Sequence, residues 1–203
     1  MAYPDDWSEI QQTYEAWWAH ELDRPVFQVY YPPEGGPPEF DYWSFLKCKE
    51  NPEGLRRQLE AFPGTSRYAG DAFPSLFVNL GAGVLAAYFS GYLDFDDFNH
   101  TAWFEKPLPW DEVEKLFFRE DNEWWQYTQA VTRLCADVAK DRFVLGMTDI
   151  GGILDVLASL RGTENLLMDL VGEPERVNRM RGRILEAWHR VYDGLAPVVA
   201  EVQ

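Results

Sequence analysis

The segment that most constrains this chain is Phe143-Val-Leu-Gly-Met-Thr-Asp-Ile-Gly-Gly-Ile-Leu-Asp-Val-Leu-Ala-Ser-Leu-Arg-Gly162. A short apolar run, Phe143 to Met147, breaks at Thr148-Asp149 and restarts after Gly151-Gly152 as a helix that stops at Gly162. Strand, tight polar turn and helix make the βα unit from which parallel sheets and barrels are assembled. In such folds the chemistry collects where the carboxyl end of a strand meets the next helix. The spacing therefore puts Asp149 and the N–H groups of Gly151 and Gly152 in one polar patch. Asp149 there is a candidate acceptor or general base, and equally a cap for the helix that follows.

The rest of the chain reads as the same alternation. A first helix is expected over about 6–22, from Trp7 to Leu22 with Asp6 and Glu9 as a capping-box-like start and an apolar stripe of Trp7, Ile10, Tyr14, Trp17 and Trp18. Arg24-Pro25 ends it, and Val26 to Tyr31 reads as a strand, followed by a loop over Pro32 to Pro38. A helix over Asn51 to Phe62, a strand over Phe73 to Leu80 and a small-residue helix over Val84 to Phe89 come next. Tyr92 to His100 reads as an acidic loop, Thr101 to Glu105 as a weak strand, and Trp110–Phe117 and Asn122–Lys140 as helices. Beyond the Phe143 unit, Thr163 caps a short helix ending at Gly172. Pro174 opens a last helix with the stripe Val177, Met180, Ile184, Trp188, Val191, Leu195 and Val198.

Short strands separated by long helical stretches cannot pair as hairpins, so parallel pairing through crossovers is expected. The fold class is therefore α/β, with three to four βα units forming the N-terminal part, about half, of a (β/α)8 TIM-type barrel. Residues 1–203 form one such partial domain, to be completed by further chain or by a homodimer that covers the open edge.

Charge and composition exclude several classes. A net charge of −16 repels a phosphate backbone or an anionic bilayer, so neither nucleic acid nor membrane is an expected partner. No secretory signal or membrane-spanning run is read in the chain, and two distant cysteines, Cys48 and Cys135, form no disulfide framework or zinc ribbon, so a cytoplasmic location is expected. Nine tryptophans and 16% aromatic residues supply large packing units and walls for planar or apolar ligands. Gly81-Ala-Gly83 and Gly151-Gly152 lack the spacing of a dinucleotide fingerprint.

Trp17-Trp18, Glu21-Leu-Asp-Arg-Pro25, Gly70-Asp-Ala-Phe-Pro74 and Asn79-Leu-Gly81, then Asp149-Ile-Gly-Gly-Ile-Leu-Asp155, Leu160-Arg-Gly162, Asp169-Leu170 and Pro174-Glu-Arg-Val177, stand in an order that resembles the uroporphyrinogen decarboxylase-like family. That family includes corrinoid-dependent methyltransferases as well as the decarboxylase. The resemblance runs across nearly the whole chain and implies a (β/α)8 barrel whose C-terminal half is not in this sequence. It departs from the decarboxylase where it matters. The two arginines that grip the substrate's carboxylates fall at about Tyr30 and Glu34, the aspartate beneath the pyrrole nitrogens near Asn79, and the active-site tyrosine near Ala158.

Those departures favour methyl transfer involving a corrinoid protein over porphyrinogen decarboxylation. The methyltransferase branch uses a His/Cys-bound zinc to form a thiolate, and the chain's own His20, His100, His189, Cys48 and Cys135 form no such cluster, so no cofactor is expected within this chain. The resemblance implies zinc and a corrinoid only for the complete enzyme, the zinc ligands lying in its other half. Two other readings stand beside it: a metal-free lyase acting on an apolar or aromatic acid, and a non-catalytic binding or assembly module. As an enzyme the completed protein would be a methyltransferase or carboxy-lyase acting on a small molecule.

The residues expected to carry catalysis are Asn79 and Asp149, with Tyr30, Tyr31 and Arg161 binding substrate. Each has a plain structural reading too: a turn asparagine, a helix cap, strand-end tyrosines, and a cation at a helix C-terminus. Asp71 precedes its strand and belongs to the stability face. Asp94, Asp96 and Asp97 lack the later ligands of a calcium loop and read as a solvated loop.

Overall fold

The computed structural model describes residues 7–33 and 40–202; Asp6 and most of the expected Pro32–Pro38 loop, with Glu34, lie outside them. Strand β1 (Gln28–Tyr31) follows helix α1 (Trp7–Trp18) and pairs antiparallel with β2 (Arg67–Gly70), Gln28 opposite Gly70 and Tyr31 opposite Arg67. Between them lie α2 (Ser44–Lys47), α3 (Pro52–Ala61) and a 3-10 turn, Phe62–Thr65. Asn51 caps α3 by accepting from Gly54 N–H at 2.9 Å. α1 stops earlier than the stripe suggested. Only Ile10 of it is buried, and Trp17 and Trp18 are exposed.

Asp71 holds this region together. Its two carboxylate oxygens accept from the Arg24 guanidinium at 2.7 Å each, and Oδ2 also accepts from Phe27 N–H at 2.8 Å. Tyr14 on α1 donates to the Asp71 carbonyl at 3.2 Å. One residue thereby joins α1, the entry to β1 and the end of β2, as the stability reading of Asp71 requires.

The core is built around a parallel pair, β3 (Ser75–Phe77) and β6 (Val144–Gly146), with Leu76 opposite Leu145 and both buried. The segments between are α4 (Val84–Ser90), β4 (Asp94–Asp96), β5 (Thr101–Trp103), α5 (Trp110–Val113) and α6 (Glu123–Ala139), the last capped by Asn122. After β6 come α7 (Ile153–Arg161), α8 (Thr163–Gly172) and α9 (Pro174–Ala200). α4 is buried from Val84 to Phe89, because small residues let α6 and α7 close on it. α9 packs on α6, α7 and α8 through Val177, Met180, Ile184, Ala187, Val191, Leu195 and Val199. The expected stripe therefore shifts by one residue at two places, where Ala187 and Val199 replace Trp188 and Val198.

The described residues thus form a mixed α/β structure with one parallel strand pair. The expectation that every strand pairs in parallel is corrected: β1–β2 and β4–β5 are antiparallel. The expected acidic loop is a hairpin. Asp96 accepts from Phe98 N–H and Asn99 N–H and pairs with the Asn99 side chain, and His100 takes a positive φ of 50°, so polar side chains close the turn. Asp97 pairs with Lys47 at 2.9 Å. Among the described residues no helix is long and apolar enough to cross a membrane.

Tyr88, fully buried on α4, meets Thr128 on α6 at 2.7 Å. The Thr128 hydroxyl already donates to the Trp124 carbonyl, so Tyr88 is the donor, and burial pushes its phenol pKa well up. Tyr88→Phe is expected to cost about 1 kcal/mol, because Thr128 keeps a partner when the phenol is gone. Urea denaturation of the two proteins checks this; a loss above about 3 kcal/mol would mean that the ring itself had moved.

Candidate functional site

Turns leave the carboxyl ends of both parallel strands and pack against each other. After β3, Asn79 Oδ1 accepts from Gly81 N–H at 3.0 Å and its amide donates to the Tyr42 carbonyl at 3.2 Å. Gly81 has φ +92°, and the ring of Phe104 lies directly against Gly81 and Gly83, where side chains would collide with it. After β6, Asp149 Oδ1 accepts from Gly151 N–H at 2.9 Å. Gly151 has φ +68° and rests on the Ala82 carbonyl so closely that a Cβ would overlap it. From α9, the Trp188 indole donates to the Gly151 carbonyl at 3.3 Å and stacks on Tyr192.

These turns form one side of a cleft of about 600 Å³, within the range of small-molecule sites. Its other wall comes from the β4–β5 hairpin and the segment after it, through Trp103, Phe104 and Glu105, with α7 (Asp155, Ala158, Ser159) and the start of α8 (Thr163) completing it. Glu105 Oε1 receives Thr163 N–H at 3.5 Å, and the Asp155 carboxylate folds back against Gly152. Among the described residues, the side chains lining the cleft include three carboxylates, Glu105, Asp149 and Asp155, and no Lys, Arg or His. Trp103 is 55% exposed there and offers an aromatic surface. Such a lining accepts hydrogen bonds and favours neutral or cationic ligands over anions.

Of the five expected site residues, only Asp149 lines this cleft. Asn79 does not line it: it closes the turn that leads through Gly81 to the lining residues Ala82 and Gly83, and it is tied to Tyr42. Tyr30 lines a separate cavity of about 250 Å³, and Tyr31 is exposed. Arg161 faces the other way: its Nε donates to Asp169 at 2.8 Å, Nη1 donates to the Leu108 carbonyl at 3.3 Å, and the guanidinium lies over Trp110. Its charge is committed within the protein, which is the structural role expected at the end of α7. Glu105, Asp155 and Trp103 were not foreseen. Asp155 had a usable signal, sitting three residues beyond Gly152 in the first turn of α7. Glu105 and Trp103 had none, because their place depends on a hairpin that reads as loop.

Among the described residues no group of three or more His, Cys, Asp or Glu is placed to hold a metal ion. The described side chains thus offer no ready ligand set for the zinc that the methyltransferase resemblance implies for the complete enzyme. Compared with protein-family models, curated proteins and solved structures, the chain matches none.

Proposed function

We propose that this chain is the N-terminal portion of a (β/α)8 barrel enzyme of the uroporphyrinogen decarboxylase-like group, and that it serves methyl transfer involving a corrinoid protein. One observation carries the reading: the turns after two parallel strands, adjacent in the sheet, converge on one cleft whose rim holds Asp149. The motif order described above supplies the family. The cleft's charge supplies the choice of chemistry. Three carboxylates and no cation make a poor seat for a porphyrinogen with several carboxylates, and they disfavour an aromatic acid for the same reason.

In this reading Asp149 accepts a hydrogen bond from the substrate while the Gly151 N–H fixes the carboxylate's direction. Trp103 and Phe104 exclude water from one side. Asp149→Asn keeps the oxygen that receives Gly151 N–H and removes the charge, so the turn survives. The variant is expected to slow methyl transfer between a methylated corrinoid and a thiol at least about tenfold, with an unchanged circular dichroism spectrum. Transfer at the original rate, or none in the unsubstituted protein assayed with any encoded continuation beyond Gln203, removes the proposal.

A further inference from the structure

A second cavity, of about 250 Å³, lies away from the cleft, between β1, β2, the start of β3 and the segments around Asp41 and Phe62. Five of its walls are aromatic: Tyr30, Phe40, Tyr42, Phe62 and Tyr68. These rings do not stack. Tyr30 and Tyr68 meet at 79° with centroids 5.7 Å apart, Phe40 and Tyr42 at 66° and 6.4 Å, and Phe40 and Phe62 at 70° and 5.2 Å. Each pair meets edge to face, and the rings of β1, β2 and the two flanking segments enclose the space like the sides of a box.

The box also has a sign. Among the described residues its lining contains one carboxylate, Asp41, and no Lys, Arg or His. Asp41 pairs with Lys47 at 2.8 Å and also lies within reach of His100, but Lys47 is shared with Asp97 at 2.9 Å, so two carboxylates surround one ammonium. An anion entering the box would meet no cation in its walls. A cation would meet aromatic faces and a local excess of negative charge.

We propose that this cavity binds a small quaternary-ammonium cation, held by the faces of Tyr30, Tyr42 and Tyr68 and by the negative excess that Asp41 and Asp97 leave over Lys47. Quaternary ammonium groups carry their charge without N–H donors, so aromatic faces satisfy them where hydrogen-bonded ammonium ions need acceptors. The volume suits a headgroup-sized ligand, since drug-sized sites run from roughly 300 to 1,000 Å³. Burial also raises the Tyr68 phenol to about 12, which keeps that ring neutral through the physiological range. The inference is independent of the cleft, because none of these tyrosines lines it.

Calorimetric titration of the 203-residue chain with choline, tetramethylammonium and the neutral isostere 3,3-dimethylbutan-1-ol tests the proposal. Both cations are expected to bind, and the isostere at least about tenfold more weakly. Tyr68→Leu is expected to weaken choline about tenfold, whereas Tyr68→Phe, which keeps the ring, stays within about twofold. Where Tyr68→Leu does not fold by circular dichroism, Tyr42→Leu takes its place, since Tyr42 is half exposed. No cation binding, equal binding of the isostere, or unchanged affinity in the leucine variant that folds overturns it.

Discussion

Gly151→Val is expected to lose about 4 kcal/mol, which lowers the melting temperature by about 10 °C for a chain of this size. Two costs add. Gly151 sits at φ +68°, a left-handed conformation that a β-branched residue resists, and its missing Cβ is where the Ala82 carbonyl already lies. The backbone cannot yield easily. Asp149 holds the Gly151 N–H, and the Trp188 indole holds its carbonyl. Relief therefore requires the β3 and β6 turns to separate, which opens one wall of the cleft as well as weakening the fold. Gly172→Ala is the control: a Cβ there meets nothing within 4 Å, and the residue ends α8 without a positive φ. Thermal unfolding followed by circular dichroism compares the three proteins. A Gly151→Val melting temperature within about 3 °C of the parent would show that the two turns are not packed as described.

The second large effect concerns Asp71. Asp71→Ala is expected to lose about 3 kcal/mol at neutral pH, because it removes two charge-assisted bonds to Arg24 and the acceptor for Phe27 N–H at once. Arg24 is half exposed and regains water, which keeps the loss below that of a fully buried pair. The same contacts give a pH signature. The Arg24 guanidinium, first, and the Phe27 N–H hold the Asp71 carboxyl down to about 2, below its value in the unfolded chain near 3.9. A carboxyl depressed in the folded state binds its proton more readily once unfolded. Its contribution, about 2 kcal/mol, is therefore complete above pH 4 and is lost as pH falls from about 4 toward 2. Asp71→Asn should flatten the stability profile in that window and leave its shape above pH 5 unchanged. Parallel curves for parent and variant between pH 2 and 4 would contradict the pairing.

What the sequence revealed follows from the range of the forces involved. Asn51, Asn122, Gly162 and Pro174 mark helix ends through bonds a few residues long, and those ends appear where the pattern put them. The Phe143 unit was legible for the same reason, since strand, turn and helix are one local motif. α1 was not, because an apolar stripe says only that a face can be buried, and Trp17 and Trp18 are left uncovered. The hairpin escaped because Asp94, Asp96 and Asp97 look like a solvated run until Lys47 and the turn bonds of Asp96 are seen.

The site divides in the same way. Asp149 could be named from its turn, because a polar residue between a strand and a glycine pair has few other places to go. Glu105 and Trp103 reach the cleft only through long-range docking of the hairpin, whose buried anchor Phe104 fits over Gly81 and Gly83. Arg161 carried a correct local signal, a cation at a helix end, and its partner Asp169 lies in the next helix.

The last helix bears on how such a chain is made. α9 is the common lid of α6, α7 and α8, and its buried face extends from Val177 to Val199. During synthesis those three helices have their outer apolar surfaces uncovered until the 27 residues of α9 clear the ribosome. A nascent chain arrested near Gly172 should be a preferred client for holding chaperones, and one arrested past Gln203 should release them.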